Sequence, residues 1–163
     1  MRNKILSIAL AFVTLVGLVP LTATTAEASD DDEIVEITTA GTCNYDYANE
    51  VVELVNEERA AAGLNTLVND KRLTEWAMQR AAEQAFYFGH VRPDGTGWDT
   101  VLDQEEFGYP NYLSGGENAA GNYTSPSAVM NGWMNSAGHK ATLMDEGYTA
   151  VGVVCFTSHG YTY

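Results

Sequence analysis

The chain has 163 residues, 45% of them hydrophobic, and carries a net charge of −14 at neutral pH, with 8 Lys and Arg against 22 Asp and Glu. That balance argues against a nucleic-acid or anionic-membrane surface, because phosphate polymers are bound through clustered cations. The length suits one domain with a core of its own.

Met1-Arg2-Asn3-Lys4 is a short basic segment, and an apolar run from Ile5 to Leu21 follows it. Ala26-Glu27-Ala28 then places small residues at both positions that a signal peptidase reads. Residues 1–28 therefore read as a signal peptide cleaved before Ser29, and the chain is expected to be secreted. Gly17 and Pro20 interrupt the apolar run, which falls short of the roughly 20 continuous apolar residues of a spanning helix, so no transmembrane anchor is expected. Removing 28 of the 163 residues takes away Arg2, Lys4 and Glu27, which leaves 135 residues with a net charge of −15.

Cys43 and Cys155 are the only cysteines. In an oxidising compartment a disulfide between them would close a very long loop and contribute about 4–5 kcal/mol if unstrained. The bridge is expected, on condition that the two Cα atoms approach within about 7 Å.

Residues 29–45, opening on Asp30-Asp31-Asp32-Glu33, read as an acidic flexible leader. From about Asp46, Tyr47, Val51, Leu54 and Val55 recur on one helical face, and Gly63 ends the pattern. Asn56 and Arg59, three residues apart on that helix, are neighbours; spacing alone allows a buried clamp or a solvated face, and the structural clamp is the favoured reading. Asp70 caps a second expected helix through Leu73, Trp76, Ala77, Arg80, Ala81 and Ala85, which should end at Gly89. His90 then stands at a helix exit, before a turn over Val91-Arg92-Pro93-Asp94-Gly95. Loop character continues to Ser114, with Trp98, Val101, Leu102, Phe107 and Tyr112 as anchors.

Gly115-Gly116-Glu117-Asn118 sets one carboxylate among glycines, where the backbone approaches closely and Glu117 could accept from an imidazole. An ordinary turn with an exposed glutamate is the other reading. Ser125-Pro126 marks the start of a third helix through Val129, Met130 and Trp133. Asn135-Ser136-Ala137-Gly138 should break it, with Gly138 in a left-handed turn, and His139 near the start of a short helix through Leu143. Tyr148 to Phe156 reads as one strand, Ser158-His159-Gly160 as a hairpin turn, and Tyr161-Thr162-Tyr163 as a partner strand cut short.

Four of these stretches, Val55-Asn56-Glu57-Glu58-Arg59, Phe88-Gly89-His90-Val91-Arg92-Pro93-Asp94-Gly95, Gly116-Glu117-Asn118 and Gly132-Trp133 through Gly138-His139, stand in the order found in bacterial CAP-domain (SCP-like) proteins. The superfamily is named for cysteine-rich secretory proteins, antigen 5 and pathogenesis-related proteins, and the resemblance covers residues 46–163. It implies an α+β fold, a three-layer α/β/α sandwich whose small, mainly antiparallel sheet has helices on both faces. It also implies a cleft holding two histidines and two glutamates, three of which match His90, Glu117 and His139. The fourth, a glutamate shortly after the tryptophan, has no match, since Met134-Asn135-Ser136 follows Trp133.

Two imidazoles and a carboxylate suit a divalent ion such as zinc, with His90 and His139 as ligands and solvent in the remaining positions. No cofactor is required by any motif. Ser136, His139 and Glu117 can be written as a hydrolytic triad, although no nucleophile elbow surrounds Ser136. The resemblance, through relatives linked to sterol or lipid binding and to extracellular contacts, implies a monomeric binding or interaction module with an extracellular ligand, lipid or protein as partner. Turnover by a metal-dependent or Ser/His hydrolase is the alternative.

Overall fold

Helix α1 (Tyr45–Ala61) begins where Asn44, in extended conformation, accepts from the Tyr47 amide, and it closes at Gly63 with φ at 75°. These positions come from a computed structural model that describes residues 21–28, 34–102 and 114–163. The first 20 residues of the expected signal peptide, residues 29–33 of the expected leader, and the expected anchors Phe107 and Tyr112 lie outside the described residues. The stripe of α1 buries Val51 and Val55 against Val129 and Met130 of α3 (Pro126–Met134) and Leu143 of α4 (Ala137–Leu143). Burying each such side chain contributes roughly 1.5–3 kcal/mol. This is the largest apolar cluster, and it forms one helical layer.

The sheet lies beneath it. Strands β2 (Ile34–Cys43), β5 (Phe156–Ser158) and β6 (Tyr161–Thr162) run antiparallel, and β1 (Leu21–Ala28), which falls within the expected signal peptide and would leave with it, pairs antiparallel along β2, giving the order β1-β2-β5-β6 in the full chain. A separate parallel pair joins β3 (Val68–Asn69) to β4 (Ala150–Val151). Helix α2 (Lys71–Gln84), capped by Asp70 through the amides of Arg72 and Leu73, packs on the other face, where Ala81 and Ala82 meet Phe156. The result is the expected α/β/α arrangement with a mainly antiparallel sheet.

Several local expectations are corrected. Residues 34–43, within the expected flexible leader, are strand β2, because the sheet needs a partner on the free side of β5. The Tyr148–Phe156 strand is two strands, since β4 pairs with β3 while β5 pairs with β2. Gly152 stands at the change of partner, where a Cβ would run into the backbone of Leu73 and Thr74. Helix α2 stops at Gln84, five residues before Gly89, because the Gln84 amide bonds both backbone groups of Gly89 and turns the chain out of the helix. Gly138 lies inside α4, and the only glycines with positive φ among the described residues are Gly63, Gly95 and Gly160.

The expected disulfide is not formed, and Cys43 and Cys155 are both free thiols. Cys43 pairs across the ladder with Phe156, and Cys155 stands one residue before that strand. The Cys43 sulfur instead contacts the Met78 sulfur at 3.3 Å.

Candidate functional site

The turn after α2 carries His90, and its placement is local in origin. Gly89 is pinned by Gln84, Trp98 N–H donates to the His90 carbonyl at 3.1 Å, and Arg92 N–H donates to Thr96. The imidazole of His90 is 52% exposed, and its Nδ1 stands 2.8 Å from Oε1 of Glu117, whose side chain is only 8% exposed. Glu117 is thus no solvated turn residue. The expected meeting of imidazole and carboxylate is present between these two.

Glu117 sits on an extended segment that other elements hold in place. Asn118 donates to the His139 carbonyl at 3.0 Å, and the Trp133 indole donates to the Ala119 carbonyl at 3.5 Å. Gly116 permits the approach of α4, since a Cβ there would come within 2.6 Å of Thr142 and 2.9 Å of the Tyr148 hydroxyl. His139, in the first turn of α4, is therefore tied to the Glu117 segment through its backbone. Among the described residues its imidazole makes no hydrogen bond to His90 or Glu117. Ser136 occupies the N-cap position of α4, and its hydroxyl makes no capping bond and none to His139. The Ser136, His139 and Glu117 triad is not assembled.

Beneath His90 lies a chain of buried charges that the sequence pattern did not disclose. Arg80 donates to Glu117 through Nε at 2.7 Å and Nη2 at 3.2 Å, to Glu83 through Nη1, and to the Gly89 carbonyl at 2.8 Å. Arg92 donates to Glu83 through Nη2 at 2.7 Å and Nε at 3.1 and 3.2 Å. Buried charges persist when paired in this way. Burial would lower the pKa of Arg80, but hydrogen bonds and charge from Glu117 and Glu83 outweigh it and raise the value above the ordinary one. One signal was available. Arg80 stood inside the apolar stripe of α2, where only a paired charge is tolerated.

The donor set fits a zinc site poorly. Glu117 has both oxygens on Arg80 and one also on His90, and no group of three His, Cys, Asp or Glu among the described residues could hold a metal ion. What the arrangement offers is a single half-exposed imidazole, braced on one nitrogen, in a chain segment that follows the exposed side chains of Phe86, Tyr87 and Phe88.

The helical layers around a small sheet, with a histidine and glutamate meeting above it, define the class of fold to which known proteins can be compared. The profile of the cysteine-rich secretory protein (CAP) family matches residues 52–163, and the chain belongs to that family. It is similar to YkwD of Bacillus subtilis, 34% identical over 110 residues, which cover 66% of this chain and 41% of that protein. It is also similar to the membrane protein YlbC of the same organism, 32% identical over 106 residues, covering 64% of this chain and 30% of YlbC. The matches therefore span less than half of either relative. Among solved structures, an extracellular protein containing an SCP domain from Bacillus anthracis superposes with a TM-score of 0.63 at 22% identity, over 72% of this chain and 39% of that one. A cysteine-rich secretory protein from Staphylococcus aureus gives a TM-score of 0.53 at 20% identity, over 73% and 37%. At such identities these two support the fold alone.

Proposed function

We propose that the protein is an extracellular ligand-binding or interaction module whose contact group is His90, with Glu117 behind it and His139 at the border of the same site. The observation that carries this reading is the His90 and Glu117 pair itself. A half-exposed imidazole is held at 2.8 Å by a buried carboxylate, which is more fixation than a solvated surface histidine requires. Phe86, Tyr87 and Phe88, exposed on the segment that leads into His90, offer apolar area to an amphipathic partner. Binding rather than turnover is favoured because the Ser136 hydroxyl does not reach an imidazole. Secretion is part of the reading: it rests on residues 1–28 and agrees with the description of the Bacillus anthracis protein as extracellular. No described helix is long and apolar enough to cross a membrane.

The test is a pair of titrations of the chain beside a His90→Ala/His139→Ala variant. One uses zinc ion alone, and the other uses phosphatidylcholine vesicles carrying sterol. Saturable binding that the variant loses supports the site and tells which chemistry it takes. Absence of binding to both probes, with a variant that melts at lower temperature, reduces the pair to an internal brace and overturns the reading.

A further inference from the structure

We propose that Arg80 is the positioning residue of this pair, fixing His90 as the Nδ1–H tautomer and leaving its Nε2 lone pair open to solvent. The inference deepens the reading of His90 as the contact group, and it begins with Glu117. A carboxylate has acceptors and no proton to give, so a contact of 2.8 Å with Nδ1 requires the proton to lie on that nitrogen. A neutral imidazole carries one N–H, and Nε2 is then bare.

Arg80 makes this arrangement compulsory in two ways. Its planar fork grips both oxygens of Glu117, at 2.7 and 3.2 Å, which occupies each with a donor and sets the direction of the remaining lone pair. Its Nη2 also donates to the Gly89 carbonyl, the residue before His90, so the ring and its acceptor are referred to one guanidinium. Glu83 fixes Arg80 in turn, and Arg92, two residues after His90, fixes Glu83. The order Arg92, Glu83, Arg80, Glu117 alternates in sign, and all four side chains are at most 8% exposed. Water cannot substitute for any member of a chain buried so deeply.

The consequence is a chemical preference. A bare Nε2 accepts from an O–H or N–H donor or from a cation, and it repels an anion. A ligand for this site therefore presents a hydroxyl, an ammonium or an amide N–H to His90.

The experiment is long-range proton–nitrogen NMR of the histidine rings in the full chain labelled at histidine, at mildly alkaline pH and without ligand. The wild type is expected to show His90 protonated on Nδ1 and bare on Nε2. In Glu117→Gln the carboxamide donates to Nδ1, and the expected result is loss of the Nδ1–H form in favour of Nε2–H. Arg80→Lys keeps the buried charge and so protects the fold. It removes the fork, and a mixture of tautomers is expected. An Nε2–H wild type overturns the proposal, and so does an Arg80→Lys protein whose His90 remains wholly Nδ1–H. The tautomer is read without any ligand, so an Nδ1–H wild type in which both variants behave as expected supports the role of Arg80 even where zinc and vesicles both fail to bind.

Discussion

Arg59 is fully buried, and its guanidinium faces backbone carbonyls: those of Asn65 at 2.8 Å, Leu143 at 2.7 Å, Asp145 at 2.9 Å and Tyr148 at 3.3 Å. Asn56, one turn earlier, exchanges two hydrogen bonds with the backbone of Leu67. Together they tie α1 to the end of α4 and to the approach to β3. Replacing Arg59 by Met would leave several buried carbonyls without partners, and we expect a loss of about 3 kcal/mol or more, measured by urea denaturation. Asp94 gives a second prediction. Burial pushes its carboxyl pKa up, but the Thr96 hydroxyl and amide and the charge of Arg92 outweigh this and bring it below the ordinary value. A depressed carboxyl stabilises the fold above its unfolded pKa of about 3.9, and that contribution is lost as pH falls through the folded value. Wild type and Asp94→Asn should therefore differ in melting temperature near neutrality and converge in strong acid. The adjacency of Asn56 and Arg59 was legible in the sequence from their three-residue spacing on a helix, whereas their burial as a clamp depended on the carbonyls that α4 and the approach to β3 bring to them. The role of Arg80 was not legible, because its partners Glu117 and Gly89 come from other segments.

Helix starts were readable and helix ends less so, for a reason seen in each cap. Asp70 and Ser125 are local signals, each accepting from an amide two or three residues ahead, and Asn44 caps α1 in the same way although the apolar pattern marked that helix only from about Asp46. Ser125→Ala should cost about 1 kcal/mol by thermal denaturation, through loss of the bond from Ala128 N–H. The end of α2 was misplaced because Gln84, a residue with good helix propensity, uses its side chain on Gly89 and stops the helix by a competing bond. The split between β4 and β5 was likewise hidden, since the apolar run from Val151 to Val154 is uninterrupted except at Gly152. Gly152→Ala is expected to destabilise by about 3 kcal/mol, because the added methyl meets backbone of Leu73 and Thr74 that cannot move aside. Retention of wild-type stability would mean that α2 and β4 do not pack this closely.

Across the whole molecule, burial separates the charges unevenly. Among the described residues Arg59, Arg80 and Arg92 lie inside against Glu83 and Glu117, so the surface is only slightly more acidic than the composition suggests. An open depression of about 500 Å³ on the outer side of α1 is lined by Asp46, Glu50, Glu53 and Glu57 with Asn49 and Leu54. The two thiols add a prediction at this scale. Burial, with a smaller contribution from Cys155, pushes Cys43 up to about 11, and burial raises Cys155. Raised thiol pKa values mean stability that is full below the unfolded value of about 8.5 and is lost as pH rises toward the folded one. Reduced, folded protein should accordingly resist iodoacetamide at neutral pH, and denaturant should release both thiols to rapid alkylation.

Elements with local causes were readable along the chain: the caps of α2 and α3, the apolar stripes of α1, α2 and α3, the hairpin at His159-Gly160, and the family motifs that named His90, Glu117 and His139. Which of those residues meet depends on packing between segments distant in the chain. His90 reaches Glu117, the His139 ring does not, and Ser136 stays apart, because each position depends on how α2, α4 and the Glu117 segment approach one another. The buried chain from Arg92 to Glu117 is decided at the same level. Pairing across a fold is set by packing, and spacing along the chain carries no record of it.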